Sequence, residues 1–338
     1  MVTRERPTLE AVARRAGVSR ATVSRVVNGS TTVAVQIRAA VNQAVEELGY
    51  VPNQAARSLV TQRTESIALI LPETANRVFS DDLFFPAVIR GVSMELEAAD
   101  KQLVLMMAGS AASHDRVERY AQAGHVDGVM VASMHGADPL PGSLARLGIP
   151  VVCSGRPMSP AEFDAPYVDV DHVGGVGQAM RHLLAKGRCR IATIAGPQDM
   201  VAGVDRLTGY RAALAKAGLS EHMAVGDFTR ESGIRAMKQL LADDPALDAV
   251  FVASDMMAHG ALQALKDSGR HVPDEVAVIG FDDFEISRYS DPPLTTVRQP
   301  IVDMGRTMAR LMLGLVDHKL DLPREVVLAT ELVVRASA

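Results

Sequence analysis

Tryptophan is absent from these 338 residues, and only eight phenylalanines, five tyrosines and two cysteines are present. Two isolated thiols, Cys153 and Cys189, cannot build a disulfide framework or a thiolate metal site. Both are expected to be small core residues in a protein of a reducing compartment. No apolar run reaches the length of a membrane span, and the chain begins with Arg4, Glu5 and Arg6 where an export signal would be apolar. The expectation is a cytoplasmic protein that does not touch a membrane.

Catalytic signatures are missing too. Gly174-Gly-Val-Gly177 lacks the third glycine of a dinucleotide loop and reads better as a helix start after Asp171. His114, His125 and His135 have no metal-ligand spacing and are expected at the surface, and the acid pairs Asp81-Asp82 and Asp243-Asp244 read as solvated loops. Neither a nucleophile elbow nor a phosphate loop occurs. No enzyme activity, cofactor or metal is therefore expected.

What is present is uneven in charge. Residues 1 to 63 hold nine arginines against four glutamates, about +5, in a chain whose total is −5, so the remainder carries about −10. A basic head on an acidic body is the footprint of a module that meets phosphates and a body that stays off them.

The head has helical periodicity. Leu9, Val12, Ala13 and Ala16 form one apolar face, and Val18, Val23, Val26 and Val27 form the next, with Gly17 as the turn between them. Ser19 stands at the N-cap of the second helix, which stops at Asn28-Gly29. A third helix through Val41, Val45 and Leu48 ends at Gly49. This is a helix-turn-helix, whose second helix offers Arg20, Thr22 and Arg25 to DNA. An arginine there can take guanine O6 and N7 with two donors, while Ser19 and Thr22 hydroxyls can hold phosphates. Residues 51 to 66 read as a linker with a short helix, cappable by Asn53 and marginal alone.

From Ile67 onward the pattern alternates strand and helix. Short apolar runs at 67–71, 103–107, 128–132, 151–153, 191–195, 249–253 and 276–281 suit strands covered on both faces. Their number exceeds one compact doubly wound lobe, so two lobes with a cleft are expected, with ligands beyond the carboxyl ends of the strands. The methionine pairs Met106-Met107 and Met256-Met257 read as core filling.

The stretch Thr8-Leu-Glu-Ala-Val-Ala-Arg-Arg-Ala-Gly-Val-Ser-Arg-Ala-Thr-Val-Ser-Arg-Val-Val-Asn28 resembles the LacI-type transcriptional regulators. So do Glu47-Leu-Gly-Tyr-Val-Pro-Asn53, Ile194-Ala-Gly-Pro197, Arg206-Leu-Thr-Gly-Tyr210, Val278-Ile-Gly-Phe-Asp-Asp283 and Pro292-Pro-Leu-Thr-Thr-Val297. The resemblance runs over essentially the whole chain. It implies an all-α helix-turn-helix head at 1–52, a hinge helix and linker at 53–66, and an α/β periplasmic-binding-protein-like core of two doubly wound lobes at 67–338. Lobe 1 would take about 67–165 and 295–325, lobe 2 about 166–294 and 326–338, the chain crossing between them three times.

By the same resemblance Arg20, Ala21 and Arg25 lie at base-reading positions, Ser19 and Thr22 at phosphates, and Asn28 and Arg57 among the DNA contacts. Arg20 is the main candidate for base readout, a phosphate-only contact being its alternative. Leu59 matches a leucine wedge that enters the minor groove, or else it packs the linker onto the body. Ala34 and Ile37 replace the usual hydroxyl residues of the third helix, which puts phosphate contacts around 31 to 38 in doubt.

In the core, Arg206 and Asp282 match ligand positions, where they could clamp neighbouring sugar hydroxyls or simply form a salt bridge. Phe228 would stack on a sugar or fill core, Phe84 sits at the first lobe's cleft edge, Ser254 at a polar effector position, and Asp255 is expected to cap the following helix. Gly155 stands where many relatives place an Asp. The implied function is a repressor of a palindromic operator, homodimeric because one recognition helix spans too few base pairs, and controlled by a small carbohydrate such as cellobiose or another plant-derived oligosaccharide. Without a leucine heptad tail, tetramers are not expected. The alternatives are a purine-sensing regulator of the same family and a sugar-binding protein for transport.

Overall fold

The computed structural model describes residues 7–27, 30, 32–51, 63–79, 83–158 and 165–338. Asn28, Arg57 and Leu59, with the rest of the expected hinge helix and the pair Asp81-Asp82, lie outside the described residues. The chain divides into two compact units between Thr64 and Glu65.

The first unit holds α1 (Leu9–Ala16), α2 (Arg20–Val27) and α3 (Val35–Leu48). Thr8 caps α1 through Ala11 N, and Gly17 ends it in the left-handed conformation at φ 66°, which only glycine adopts without steric cost. Ser19 Oγ accepts from Thr22 N at 3.1 Å, the expected cap of α2, whereas Ala34 gives α3 no side-chain cap. Val12, Ala13, Val23, Val26, Val41 and Ala44 are buried together, joined by Val33 and Tyr50, which the helical spacing did not identify.

The second unit begins with β1 (Ser66–Leu71), α4 (Ala75–Val78), α5 (Phe84–Ala98), β2 (Gln102–Met107), α6 (Ala111–Gln122), β3 (Gly128–Val131), α7 (Leu140–Arg146), β4 (Val151–Ser154) and β5 (Tyr167–Val170). It continues with α8 (His172–Ala185), β6 (Ile191–Ala195), α9 (Val201–Ala217), β7 (Met223–Val225), α10 (Arg230–Asp243), β8 (Ala249–Val252), α11 (Asp255–Asp267) and β9 (Ala277–Asp282). The last elements are α12 (Ile286–Tyr289), β10 (Thr295–Arg298), α13 (Ile301–Val316), β11 (Glu325–Leu328) and β12 (Glu331–Val333).

Among the described residues the strands form two sheets, β11-β5-β4-β3-β1-β2 and β12-β10-β9-β8-β6-β7. All pairings are parallel except β10 with β12. Parallel strands need crossovers, and helices on both faces explain why β1, β3, β4, β6, β8 and β9 are almost continuously apolar and buried.

Strand pairing moves the three lobe boundaries. β5 pairs with β4 and β11 in lobe 1, so the first crossing follows Val170 rather than residue 165. β10 pairs with β9 in lobe 2, placing the second after Arg298 rather than 294. β11 stays in lobe 1, placing the third after Leu328 rather than 325. The reason is common to all three: a strand completes its ladder before the chain can leave the sheet.

Several smaller expectations also change. Cys153 is buried as expected, but Cys189 is exposed. Asp244 is buried and takes Arg190 through two hydrogen bonds of 3.1 and 2.6 Å, so it is no solvated loop residue. Among the described residues no helix is long and apolar enough to cross a membrane.

Candidate functional site

On the head, Ser19, Arg20, Ala21 and Arg25 are exposed on α2, with Thr22 half-buried. Ser19 Oγ and Thr22 Oγ1 lie 2.9 Å apart, so the two hydroxyls share a hydrogen bond besides the cap. Arg20 Nε rests 3.1 Å from Glu10, an exposed pair of the kind that contributes little and exchanges readily for a stronger acceptor. Arg15 pairs with Glu47 at 2.5 Å, tying α1 to α3. Arg38 turns back onto the Val33 carbonyl at 3.2 Å, while Val35 and Ile37 stand exposed at the start of α3. This face of α3 therefore offers phosphates few hydrogen-bond donors, as the substitutions at Ala34 and Ile37 imply.

Within the core, the carboxyl ends of both sheets open on one cavity of about 240 Å³. Phe84, Arg206, Phe228, Ser254 and Asp282 all line it. A parallel sheet aims the end of every strand the same way, so residues far apart in sequence converge on one cleft.

Arg206 comes from the second turn of α9 and Asp282 from the last position of β9. Both are almost fully buried, and Nη1 lies 3.4 Å from Oδ1. Arg206 also donates from Nη1 to Ala253 O at 2.5 Å and from Nε to His172 Nδ1 at 3.3 Å. Its guanidinium carbon stacks 3.8 Å from the centre of the Phe281 ring. Burial pulls the Arg206 pKa down while Asp282 and other carboxylates push it up. Asp282, held at φ 118°, accepts from Gln299 Nε2 at 2.6 Å. A non-glycine residue in that backbone region is strained, a cost found most often where a side chain must be aimed.

The two crossing segments that follow β5 and β10 supply His172 and Gln299, so the cleft is built at the lobe junction itself. His172 accepts from Arg206 at Nδ1, which leaves the proton on Nε2, 3.5 Å from Asp169. Burial pulls the His172 pKa down and keeps the ring neutral. Burial pushes the Asp169 carboxyl up, yet hydrogen bonds from His172 and from backbone N–H groups prevail and hold it below the usual carboxylate range. Arg156 reaches across the cleft from lobe 1, its fork meeting Asp205 of α9 at 2.5 and 2.6 Å and Asp169 at 3.2 Å. Hydrogen bonding to Asp205 raises its pKa.

Arg156, Asp169, His172 and Gln299 escaped the sequence reading. Each follows a strand or lies near its carboxyl end, where ligands were expected, but β5 and β10 were not among the expected strand runs. Ser254 lines the cavity and also takes the capping role expected of Asp255. Ser254 caps α11 through Met257 N at 3.2 Å, whereas Asp255 is fully buried and accepts from Phe284 N, Ser287 Oγ and Thr296 Oγ1. The fixed backbone of β8 leaves Ser254, with its extended φ and ψ, as the only residue in cap geometry. Burial pushes the Asp255 carboxyl up to about 7.

The Phe228 ring packs against Gly196, where a Cβ would meet it at 2.5 Å, and also lines the cavity. Phe84 meets Phe85 edge to face at 5.5 Å between ring centres. His135 is not a plain surface histidine, since it touches a carboxylate in each lobe.

Such an arrangement can bind a neutral polyol. A buried guanidinium and carboxylate side by side present donor and acceptor to adjacent hydroxyls, with an aromatic face above them. Among the described residues no group of three or more histidine, cysteine or acidic side chains could hold a metal ion.

Comparison with known proteins yields matches over the whole length. The model of the bacterial regulatory proteins, lacI family, matches residues 8–53, and that of the periplasmic binding protein-like domain matches residues 180–338. The HTH-type transcriptional regulator CelR of Thermobifida fusca is 48% identical over 340 residues, covering 100% of both chains. The ribose operon repressor of Escherichia coli strain K12 is 33% identical, with 94% of each chain covered. Among solved structures, a complex of the transcriptional regulator CelR with cellobiose superposes with a TM-score of 0.78 at 46% identity, over 98% of this chain and 100% of that one. A lac repressor dimer bound to operator and the anti-inducer ONPF gives a TM-score of 0.86 at 26% identity, over 98% and 99%.

Proposed function

The chain belongs to the lacI family of bacterial regulatory proteins, and on that premise we propose that it is a cytoplasmic repressor whose hold on DNA is set by a small carbohydrate in the cleft. The observation that carries this reading is the buried Arg206–Asp282 pair, braced by Gln299 and His172 on the wall of a cavity between two lobes. An ion pair taken out of water contributes little to stability by itself, so its placement on a cavity wall favours ligand recognition. Cellobiose is the first ligand to test, because it is what the similar regulator CelR holds in its complex.

The protein acts as a homodimer on a palindromic operator, each α2 entering a major groove with Arg20 on base edges and Ser19 and Thr22 on phosphates. Arg25, Asn28, Arg57 and the Leu59 wedge complete the contact. Sugar between the lobes changes their angle and thereby the hinge segments, a coupling of about 1–3 kcal/mol. Fluorescence anisotropy with a duplex selected from random sequences, with and without cellobiose, tests this. A shift in operator affinity of about tenfold or more is expected; absence of sequence preference at moderate salt would overturn it.

A further inference from the structure

At the mouth of the cleft the lobes are joined by contacts that use no ligand. Arg77 Nη1 donates to Asp227 O at 2.8 Å, and Gly136 N donates to Asp199 O at 2.6 Å. His135, in the loop after β3 of lobe 1, lies between two carboxylates. Its Nδ1 is 2.9 Å from Asp199 Oδ2, in the loop after β6 of lobe 2, and its Nε2 is 3.0 Å from Glu73 Oε1, in the loop after β1 of lobe 1. A neutral imidazole has one donor and would turn its other lone pair on a carboxylate; the imidazolium satisfies both.

The chain neighbours of these residues line the cavity. Met134 and Gly136 flank His135, Met200 follows Asp199, and Phe228 follows Asp227. Fastening His135 to Asp199 therefore fixes where two segments of the cleft wall stand, and Arg77 holds the third through Asp227.

We propose that His135 is a positioning residue for effector binding: as an imidazolium bridging Glu73 of lobe 1 and Asp199 of lobe 2, it latches the lobes shut, so that closure takes up a proton. The proposal rests on the cleft being the effector site. His135 is half-exposed, so it exchanges protons with solvent. The carboxylates facing the ring, Glu73 first and then Asp199, raise its pKa to about 9 against the effect of burial. Opening the lobes removes Asp199 and lowers that value. The closed form is thus favoured at neutral pH, and the advantage is lost as pH rises through about 9.

Calorimetric titration of the full chain with cellobiose at pH 7.5 and pH 10 reads the coupling. Wild-type affinity should fall about tenfold between the two, corresponding to about one pKa unit of difference between open and closed forms. His135→Ala should bind about tenfold more weakly at pH 7.5 and lose the pH dependence, and His135→Lys, which keeps a cation, should recover affinity. An alanine variant with wild-type affinity or the wild-type pH profile overturns the latch.

A ligand-free readout separates this from the sugar assignment. Energy transfer between dyes on Cys189 of lobe 2 and on a Gln122→Cys variant of lobe 1 should report wider lobes at pH 10, and in Asp199→Asn at pH 7.5. Unchanged transfer in both cases overturns the latch. Absence of cellobiose binding with the lobe response intact overturns the sugar assignment and leaves the latch standing.

Discussion

The two walls of the cleft are built differently. Lobe 2 and the crossing segments bring Arg206, Asp282, His172 and Gln299, buried polar groups already bonded to one another, and the helix-capping Ser254 beside them. Lobe 1 brings the apolar Phe84, Met134, Pro139, Pro141, Pro157 and Met158 along with polar Arg77, Ser133, Asp138 and Asp169, and Arg156 reaches over to Asp205. Dense polar networks in a dry site are stiff, because moving one member orphans the others. Apolar side chains, methionine above all, adapt to whatever lies against them. On the proposed function, lobe 2 would supply most of the grip on hydroxyl groups, and the apolar part of lobe 1 an adaptable cover that selects among ligands of similar polarity.

Mutations can break this contrast, and the largest effect should come from lobe 2. Arg206→Ala removes the cation beside the buried Asp282 carboxylate and leaves it the Gln299 hydrogen bond, a loss of about 3–5 kcal/mol of core stability, read by chemical denaturation. The head, an independent unit, should melt unchanged. On DNA, Arg20→Ala should cost about 1–3 kcal/mol for the preferred duplex and relax base preference at one position per half-site, read by anisotropy against single-base variants. A uniform loss on all sequences would reassign Arg20 to phosphate. On the lobe 1 wall, Met158→Ala should change affinity by about 1 kcal/mol and alter the ranking of disaccharides, with stability nearly unaffected. Glu95→Ala, removing the half-buried partner of Arg306 and Arg310, should shift stability by about 1 kcal/mol.

The same contrast governs what could be read from sequence. The head was legible almost throughout, because helical spacing, Gly17 and the Ser19 cap are local signals that act within a few residues. The expected strand runs were legible as apolar segments, yet β5, β10 and β11 were not among them and the lobe boundaries were placed before or within all three, since pairing partners are set by long-range contacts. Arg206 and Asp282 stand in motifs shared with the family, and together with Ser254, Phe228 and Phe84 they line the cavity. Arg156, His172 and Gln299 were not legible, because their roles depend on the chain crossing between lobes, which no local periodicity records. The cap was assigned to Asp255 rather than Ser254 for a related reason: adjacent residues both able to cap are told apart only by which one the strand leaves in extended geometry.

The central claim is that the Arg206–Asp282 pair reads the effector and that reading reaches the DNA-binding head. Operator affinity with and without cellobiose, for the wild type and for Asp282→Asn, tests it most directly, since the amide keeps the shape and removes the charge. The account predicts a response of about tenfold or more in the wild type, and in the variant an unchanged sugar-free operator affinity with the response gone. A variant that responds to cellobiose as the wild type does would contradict it.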